Sequence, residues 1–232
     1  MEAVILRREI AYALRRTAPV ACGYIFLGMA FGILLNEEGY GPLWALASSL
    51  FVYAGSMQFV MVSLLAAGAP LYTVAVTTFL VNARHIFYGL GFIEKYRGMG
   101  RRFPYMVFSL TDETYSVLCS MDPPEGLDWN DCAFYASLLD HAYWVIGSVL
   151  GAALGQAIPV DLTGIDFSMT ALFVVIFVDQ WKQFPSHVPA LIGLVCAVIA
   201  LLLFGPDNFL LIALIAAVAI LVALRGRLEE KA

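Results

Sequence analysis

Residues 82–90 read NARHIFYGL and place an asparagine, an arginine and a histidine inside an apolar stretch that extends from Leu71 to Ile93. Such groups in a long apolar run are expensive to bury in lipid. They indicate either the interior of a helical bundle or a helix that breaks where the backbone lines a wet cavity. The surrounding composition decides which medium the chain occupies.

The composition indicates a lipid environment. Of 232 residues, 61% are hydrophobic and 13% are charged, and the mean hydropathy is +0.83. A soluble domain is about half apolar and about a quarter charged. Here the apolar residues form runs of about 20 residues, the length that crosses a bilayer as a helix. The chain is therefore predicted to be an all-α polytopic integral membrane protein, in contact with the lipid bilayer and not with nucleic acid.

Motifs for bound cofactors are missing from the sequence. There is no Walker A loop and no glycine-rich dinucleotide motif. The four cysteines have no spacing typical of a metal site. We therefore expect no cofactor, no metal and no ATP hydrolysis within this chain.

The helical pattern predicts one transmembrane domain, residues 1–232. Short connections rich in Gly, Pro, Asp and Asn separate most of the apolar segments. Two further apolar segments, 71–93 and 103–121, are polar in the middle, and the second contains SLTDETYS. The predicted uninterrupted spans are 17–36, 43–66, 132–158, 167–183, 188–204 and 208–224.

Basic residues predict the orientation, because short cytoplasmic loops are rich in Lys and Arg. Both termini and the loop 94–102 are basic and are expected on the cytoplasmic side. All three basic regions lie on that side if six segments cross the membrane and both polar-centred segments are re-entrant or broken. The alternative is eight spans, with one loop that violates the rule. In both cases the backbone near Asn82–Arg84 and Thr111–Glu113 is a candidate for interruption.

The polar residues inside apolar segments are the candidate site. FVYAGSMQF (51–59) contains a Gly-Ser pair that permits a kink, and broken helices at mid-depth bind small ions and zwitterions in transporters. Opposite charges on 71–93 and 103–121 suggest that these segments face each other. Ser109, Asp112, Glu113, Ser116 and Ser120 would form one polar stripe on a continuous helix. The candidate substrate-binding residues are Tyr53, Gly55, Ser56, Gln58, Asn82, Arg84 and Tyr88, and the candidate proton-coupling or ion-pair residues are His85, Asp112 and Glu113.

Glycines at helical spacing predict close helix packing. Gly147, Gly151 and Gly155 form one ridge, and Gly28 and Gly32 form a second, shorter one. The ridges could pack within the chain or against another subunit.

Three functional classes are compatible with these features. A secondary transporter explains a charged interior with interrupted helices. A channel, or an exporter for another small organic anion or zwitterion, is the first alternative. An intramembrane hydrolase with Ser56 as nucleophile is the second, although GxSxG is not met. We expect no enzymatic activity.

Five stretches resemble the AzlC family, the large subunit of bacterial branched-chain amino acid exporters. They are GYIFLGMAFG (23–32), FVYAGSMQF (51–59), NARHIFYG (82–89), LTDETYS (110–116) and ALFVVIFVDQWK (171–182). The resemblance implies export of leucine, isoleucine and valine, and in some members methionine. It also implies a small hydrophobic AzlD-type partner subunit in the membrane.

These features lead to a specific expectation. The chain is predicted to be a multi-pass subunit of the bacterial inner membrane with both termini in the cytoplasm. In this hypothesis Arg84 or helix-end N–H groups bind the substrate carboxylate. Asp112 or Glu113 contacts the ammonium group or carries a coupling proton, and Tyr53 and Tyr88 line the aliphatic pocket.

Overall fold

The computed structural model describes residues 2–157, 186–205 and 209–229, together with residues 174, 177, 178, 181 and 182. The side chains of a few residues inside these ranges, among them Arg84, are not described. The described residues form helices and connections, with no strand among them. The predicted span 167–183 lies outside the described residues apart from the five isolated positions. The helices are α1 (Glu2–Glu37), α2 (Pro42–Phe51), α3 (Gly55–Ala66), α4 (Leu71–Asn82), α5 (Arg84–Arg97), α6 (Phe103–Phe108), α7 (Asp112–Cys119), α8 (Trp129–Ala157), α9 (Val188–Phe204) and α10 (Phe209–Glu229).

Two helices in the described part of the chain are long and apolar enough to cross a membrane unbroken. They are Ile5–Glu37, within α1, and α8. The predicted span 17–36 is thus only the later part of a helix that begins at Glu2. Hydropathy marks where a helix enters lipid and not where it begins, and the arginine-rich segment before residue 17 is compatible with a helix.

Helices α1 and α8 pack closely and run parallel. Gly147 lies against Ile25 and Gly151 lies against Met29, so both helices advance in the same direction. A Cβ on Gly147 would stand 2.6 Å from the carbonyl oxygen of Ile25. Small residues permit this approach of two backbones. The predicted glycine ridges therefore pack within the chain; the other contact glycines are Gly28, Gly32 and Gly155.

The starts of α1 and α8 define one end of the bundle, here called the basic end. Arg16 donates to the carbonyl oxygen and hydroxyl of Ser120 at 2.5 and 2.7 Å. Arg102 forms a hydrogen-bonded ion pair with Asp131. The hydrogen bond to Asp131 raises the pKa of Arg102. The Lys95 ammonium lies 4.6 Å from the ring centre of Trp129. The basic loop and both ends of segment 103–121 therefore lie at the basic end.

The expectation that residues 43–66 form one plain span is wrong, because α2 and α3 form a hairpin. Gly41, before α2, lies beside Gln156 at the opposite end of the bundle, whereas Ser49 lies beside His141 near the middle of α8. After the break the chain turns back. Gln58 of α3 donates to the Ser49 hydroxyl at 3.4 Å, and Phe59 contacts Phe31, with ring centres 5.9 Å apart.

Helices α4 and α5 together connect the two ends of the bundle. Helix α4 follows the hairpin and ends at Asn82, Ala83 forms a turn, and α5 begins at Arg84. Phe92 of α5 stacks on Trp129 at the basic end, with ring centres 6.2 Å apart. The predicted interruption near Asn82–Arg84 is confirmed. The contact of Phe92 with Trp129 shows that segment 71–93 continues through the bundle after this interruption and does not turn back.

Helices α6 and α7 form a second hairpin, which enters from the basic end. The chain leaves the Arg102–Asp131 pair, reaches Tyr24 of α1 at Thr111, and returns to Arg16 at Ser120. Residues 109–111 separate the two helices, so the interruption predicted near Thr111–Glu113 is confirmed, and it ends at Thr111. The single helical polar stripe from Ser109 to Ser120 is wrong, because Ser109 precedes the break and α7 begins only at Asp112.

Candidate functional site

The three helix interruptions meet at one cavity of about 180 Å³. Each interruption contributes two or three residues to its wall. The cavity is therefore bordered by residues at or next to all three breaks, and broken helices at mid-depth bind solutes in transporters. The volume is below the roughly 300–1,000 Å³ of pockets for drug-sized ligands and suits a smaller solute. The described lining residues are Val52, Tyr53, Ala54, Asn82, His85, Val107, Phe108 and Leu110.

The first interruption is a strained turn at Tyr53. Tyr53 has φ of 42°, a conformation that costs about 1–2 kcal/mol in a residue other than glycine. The break leaves the Ala54 N–H and the Ser49 carbonyl without helical partners. The Gln58 side chain accepts from Ala54 N at 3.2 Å, and the Ser49 oxygen accepts from His141 Nε2 at 3.0 Å.

Gln58 connects this turn to the interior of α8. Its side-chain oxygen also accepts from Trp144 Nε1 at 2.9 Å. Gln58 is fully buried, and it is not among the described lining residues of the cavity. Its observed contacts hold the strained turn in place, and its predicted contact with substrate remains a prediction.

His141 supports the same turn from α8. A carbonyl can only accept, so His141 Nε2 carries the hydrogen that Ser49 receives. In the neutral ring Nδ1 is then the acceptor for the Tyr105 hydroxyl at 3.2 Å. The Tyr53 ring packs on the imidazole with centres 4.2 Å apart. One histidine therefore joins the two hairpins beside the cavity.

The predicted site residues of NARHIFYGL divide into two groups. Asn82 and His85 line the cavity, and His85 Nδ1 lies 3.1 Å from the Asn82 carbonyl oxygen. Tyr88 lies further toward the basic end and stacks on Tyr115 of α7, with centres 5.0 Å apart. The side chain of Arg84 lies outside the described residues. The two polar-centred segments thus pack on each other, and an Arg84 ion pair with α7 stays a prediction.

The predicted residues of the other two segments stand near helix starts. Gly55 and Ser56 begin α3, where Gly55 faces the ring of Trp144. Asp112 and Glu113 occupy the first turn of α7. Negatively charged side chains at a helix start interact favourably with the helix dipole. Glu113 accepts a hydrogen bond from Tyr24 at 2.6 Å.

Several buried polar residues of the interior were not among the site residues predicted from the sequence. Each lies in a segment assigned as a plain span or beside a more conspicuous charge. Asp140 and His141 are adjacent in a helix that is otherwise largely apolar, and this signal could have identified them. These residues are Tyr24, Thr111, Thr114, Asp140, His141 and Trp144.

These features define a class: a helical membrane protein with a small cavity of mixed polar and apolar lining where broken helices meet. A sequence model of the AzlC protein family matches residues 19–158, which contain all three interruptions. The chain belongs to the AzlC family. No solved structure matches it.

Three relatives illustrate the similarity. An uncharacterized membrane protein of Helicobacter pylori is 42% identical over 94% of this chain and 95% of the relative. The branched-chain amino acid transport protein AzlC of Bacillus subtilis is 37% identical over 92% of this chain and 84% of the relative. The inner membrane protein YgaZ of Escherichia coli is 29% identical over 78% of this chain and 77% of the relative.

Proposed function

We propose that this chain is the large subunit of a secondary transporter that exports branched-chain and other small hydrophobic amino acids, including methionine, across a bacterial inner membrane. The observation that carries the proposal is the convergence of three interrupted helices on one small cavity in an AzlC family member. The similarity to a Bacillus relative named for branched-chain amino acid transport supports the substrate class. Export is proton-coupled and requires a small AzlD-type membrane subunit.

The proposed topology has six crossings and two re-entrant hairpins, but the segments assigned to each differ from the sequence-based prediction. Helix pair α4–α5 crosses as a broken span, whereas α2–α3 re-enters from the periplasmic side and α6–α7 from the cytoplasmic side. The basic end faces the cytoplasm, because that side is favoured by Lys and Arg. The parallel direction of α1 and α8 supports this assignment, since both begin at the basic end.

Single cysteines distinguish this topology from both sequence-based alternatives. In a background without native cysteines, Ala67→Cys should react with an impermeant maleimide from outside the cell, because α3 returns to the periplasmic side. Gly98→Cys should react only after the membrane is opened. Ala67 and Gly98 are both exposed in the structure. A plain span at 43–66 would reverse the result at Ala67, and eight spans would reverse both.

The proposed substrate site uses the wall of the cavity. Arg84 or the N–H groups at the break near Gly55 and Ser56 bind the carboxylate, because planar guanidinium and helix starts both suit that group. Tyr53 and the neighbouring aromatic side chains provide the apolar wall for the aliphatic side chain. Asp112 or Glu113 receives the ammonium group.

The function is tested by retention of leucine, valine and methionine in peptide-fed cells. Cells expressing this chain with an AzlD-type subunit should retain less free leucine than cells expressing either subunit alone. Unchanged retention with both subunits present contradicts the proposed substrate, and a fall with this chain alone contradicts the two-subunit form.

A pair of variants in α5 sharpens the test. Arg84→Ala should abolish export, a loss of about a hundredfold, because in this proposal the guanidinium holds the carboxylate through paired hydrogen bonds. The matched control is Arg97→Ala, whose arginine is exposed at the end of the same helix. Normal export by Arg84→Ala with normal membrane insertion removes Arg84 from the site.

A further inference from the structure

Asp140 is a carboxyl group enclosed in the centre of the bundle. Its side chain is 0% exposed, and its Oδ2 accepts from the Thr114 hydroxyl at 2.9 Å. Within the described part of the chain, Oδ1 has no hydrogen-bond partner and the carboxyl has no ion pair. An ionised carboxylate with so few partners is costly in a low-dielectric interior. A proton is the simplest means of removing that cost.

A continuous line of hydroxyl groups joins Asp140 to a second carboxyl. The Thr114 hydroxyl lies 3.1 Å from that of Thr111, and the Thr111 hydroxyl lies 2.6 Å from that of Tyr24. The Tyr24 hydroxyl in turn lies 2.6 Å from Glu113 Oε2. Helices α1, α7 and α8 each supply part of the line, and Thr111 follows Leu110, which lines the cavity.

A count of hydrogens shows what this line requires. Four contacts separate the two carboxyl groups, and each contact needs one hydrogen between its oxygens. The three hydroxyl groups supply three hydrogens. The fourth contact is satisfied only when one of the two carboxyl groups is protonated. With the proton on Asp140, every hydroxyl donates toward Glu113; with the proton on Glu113, every hydroxyl donates toward Asp140.

We propose that Asp140 and Glu113 share one proton, and that the hydroxyl groups of Thr114, Thr111 and Tyr24 relay it between them. In one transfer Asp140 gives its proton to Thr114, each hydroxyl passes its own hydrogen to the next oxygen, and Tyr24 protonates Glu113. No proton is gained or lost, and the negative charge moves from Glu113 to Asp140. The role as coupling relay rests on the proposed transport function, whereas the shared proton does not.

The titratable groups near Asp140 come from every element that packs around it. Glu113 is contributed by α7 and Tyr24 by α1, Tyr53 lies in the turn between α2 and α3, and Tyr105 lies on α6. His141 follows Asp140 on α8 and points its ring nitrogens to Ser49 and Tyr105. Glu113 is thus the carboxyl at the other end of the line, and two carboxylates in one dry site favour retention of one proton between them.

Infrared spectroscopy of the purified chain in lipid at neutral pH tests the shared proton without any transport measurement. The wild type should show the carbonyl band of a protonated carboxyl group. Asp140→Asn and Glu113→Gln should each remove it, because either amide donates the fourth hydrogen itself. A band that survives in either variant, or no band in the wild type, overturns the proposal.

Transport by vesicles that contain this chain and its small subunit tests the relay. Tyr24→Phe and Thr114→Val should lower leucine flux driven by a pH gradient by about tenfold or more, and Thr114→Ser should restore it. The matched control is Tyr143→Phe, whose hydroxyl contacts Thr17 outside the line. Full flux in Tyr24→Phe overturns the relay. Absence of leucine flux in the wild type contradicts the proposed function, while the infrared result still decides the shared proton.

Discussion

Replacement of Gly151 by alanine is expected to destabilise the protein by about 3 kcal/mol, near the upper end of the usual cost of overpacking. A Cβ at this position would collide with the carbonyl oxygen, carbonyl carbon and Cα of Met29 in α1. These are backbone atoms of a long helix, so no side chain can rotate to make room. Helices α1 and α8 would have to separate along their shared length, and the contacts of both hairpins would move with them.

The measurement is thermal unfolding of the purified chain in detergent. The Gly151→Ala melting temperature should fall by about 6–12 °C, since roughly 2–4 °C corresponds to each kcal/mol in a chain of this size. The matched control is Gly193→Ala in α9, where a Cβ meets no atom within 4 Å among the described residues. Its melting temperature should stay the same or rise slightly, because alanine favours a helix. Equal melting of the two variants would contradict the close packing of α1 and α8.

Replacement of Gln58 by leucine is expected to destabilise the protein by about 2–5 kcal/mol. Leucine has a similar size but cannot accept from the Trp144 ring N–H or the Ala54 backbone N–H. The buried Trp144 N–H would be left without a partner, at a cost of about 1–3 kcal/mol, and the half-buried Ala54 N–H would lose its acceptor as well. The turn at Tyr53 would lose the side chain that fixes its strained backbone.

Tryptophan fluorescence and thermal unfolding measure this effect together. Gln58→Leu should lower the melting temperature. It should also change the tryptophan emission, because Trp144 loses its hydrogen bond to Gln58. Gln156→Leu is the matched control, because Gln156 is exposed near the end of α8. An unchanged melting temperature in Gln58→Leu would show that the hydrogen bonds at this turn contribute little to stability.

Much of the site was predictable from the sequence, and the reason is local. Asn82 and Asp112 stand out because polar groups in an apolar run require a break or a wet surface nearby. Both interruptions were therefore correctly placed. The FVYAGSMQF segment was expected to kink, yet the break falls at Tyr53, just before Gly55. A strained tyrosine has no signature in a sequence, because its strain is offset by contacts of the turn with a distant helix, through Trp144 and His141.

The direction of the chain after each break was not predictable. Hydropathy is the same for a helix that continues across the bilayer and for one that turns back at mid-depth. Residues 43–66 have the composition of a plain span and form a hairpin, whereas 71–93 contains the conspicuous charges and continues through the bundle.

The sequence by itself determined the medium, the helices and the presence of a polar interior, because apolar run length and buried charge are constrained within each segment. Only the tertiary structure decided which broken ends meet and which polar groups become partners. Tyr24 and Glu113 are 89 positions apart in the chain and share a hydrogen bond. Such pairs depend on the packing of α1, α7 and α8, and in particular on glycines that let two backbones touch. The local sequence pattern does not predict which helices approach each other.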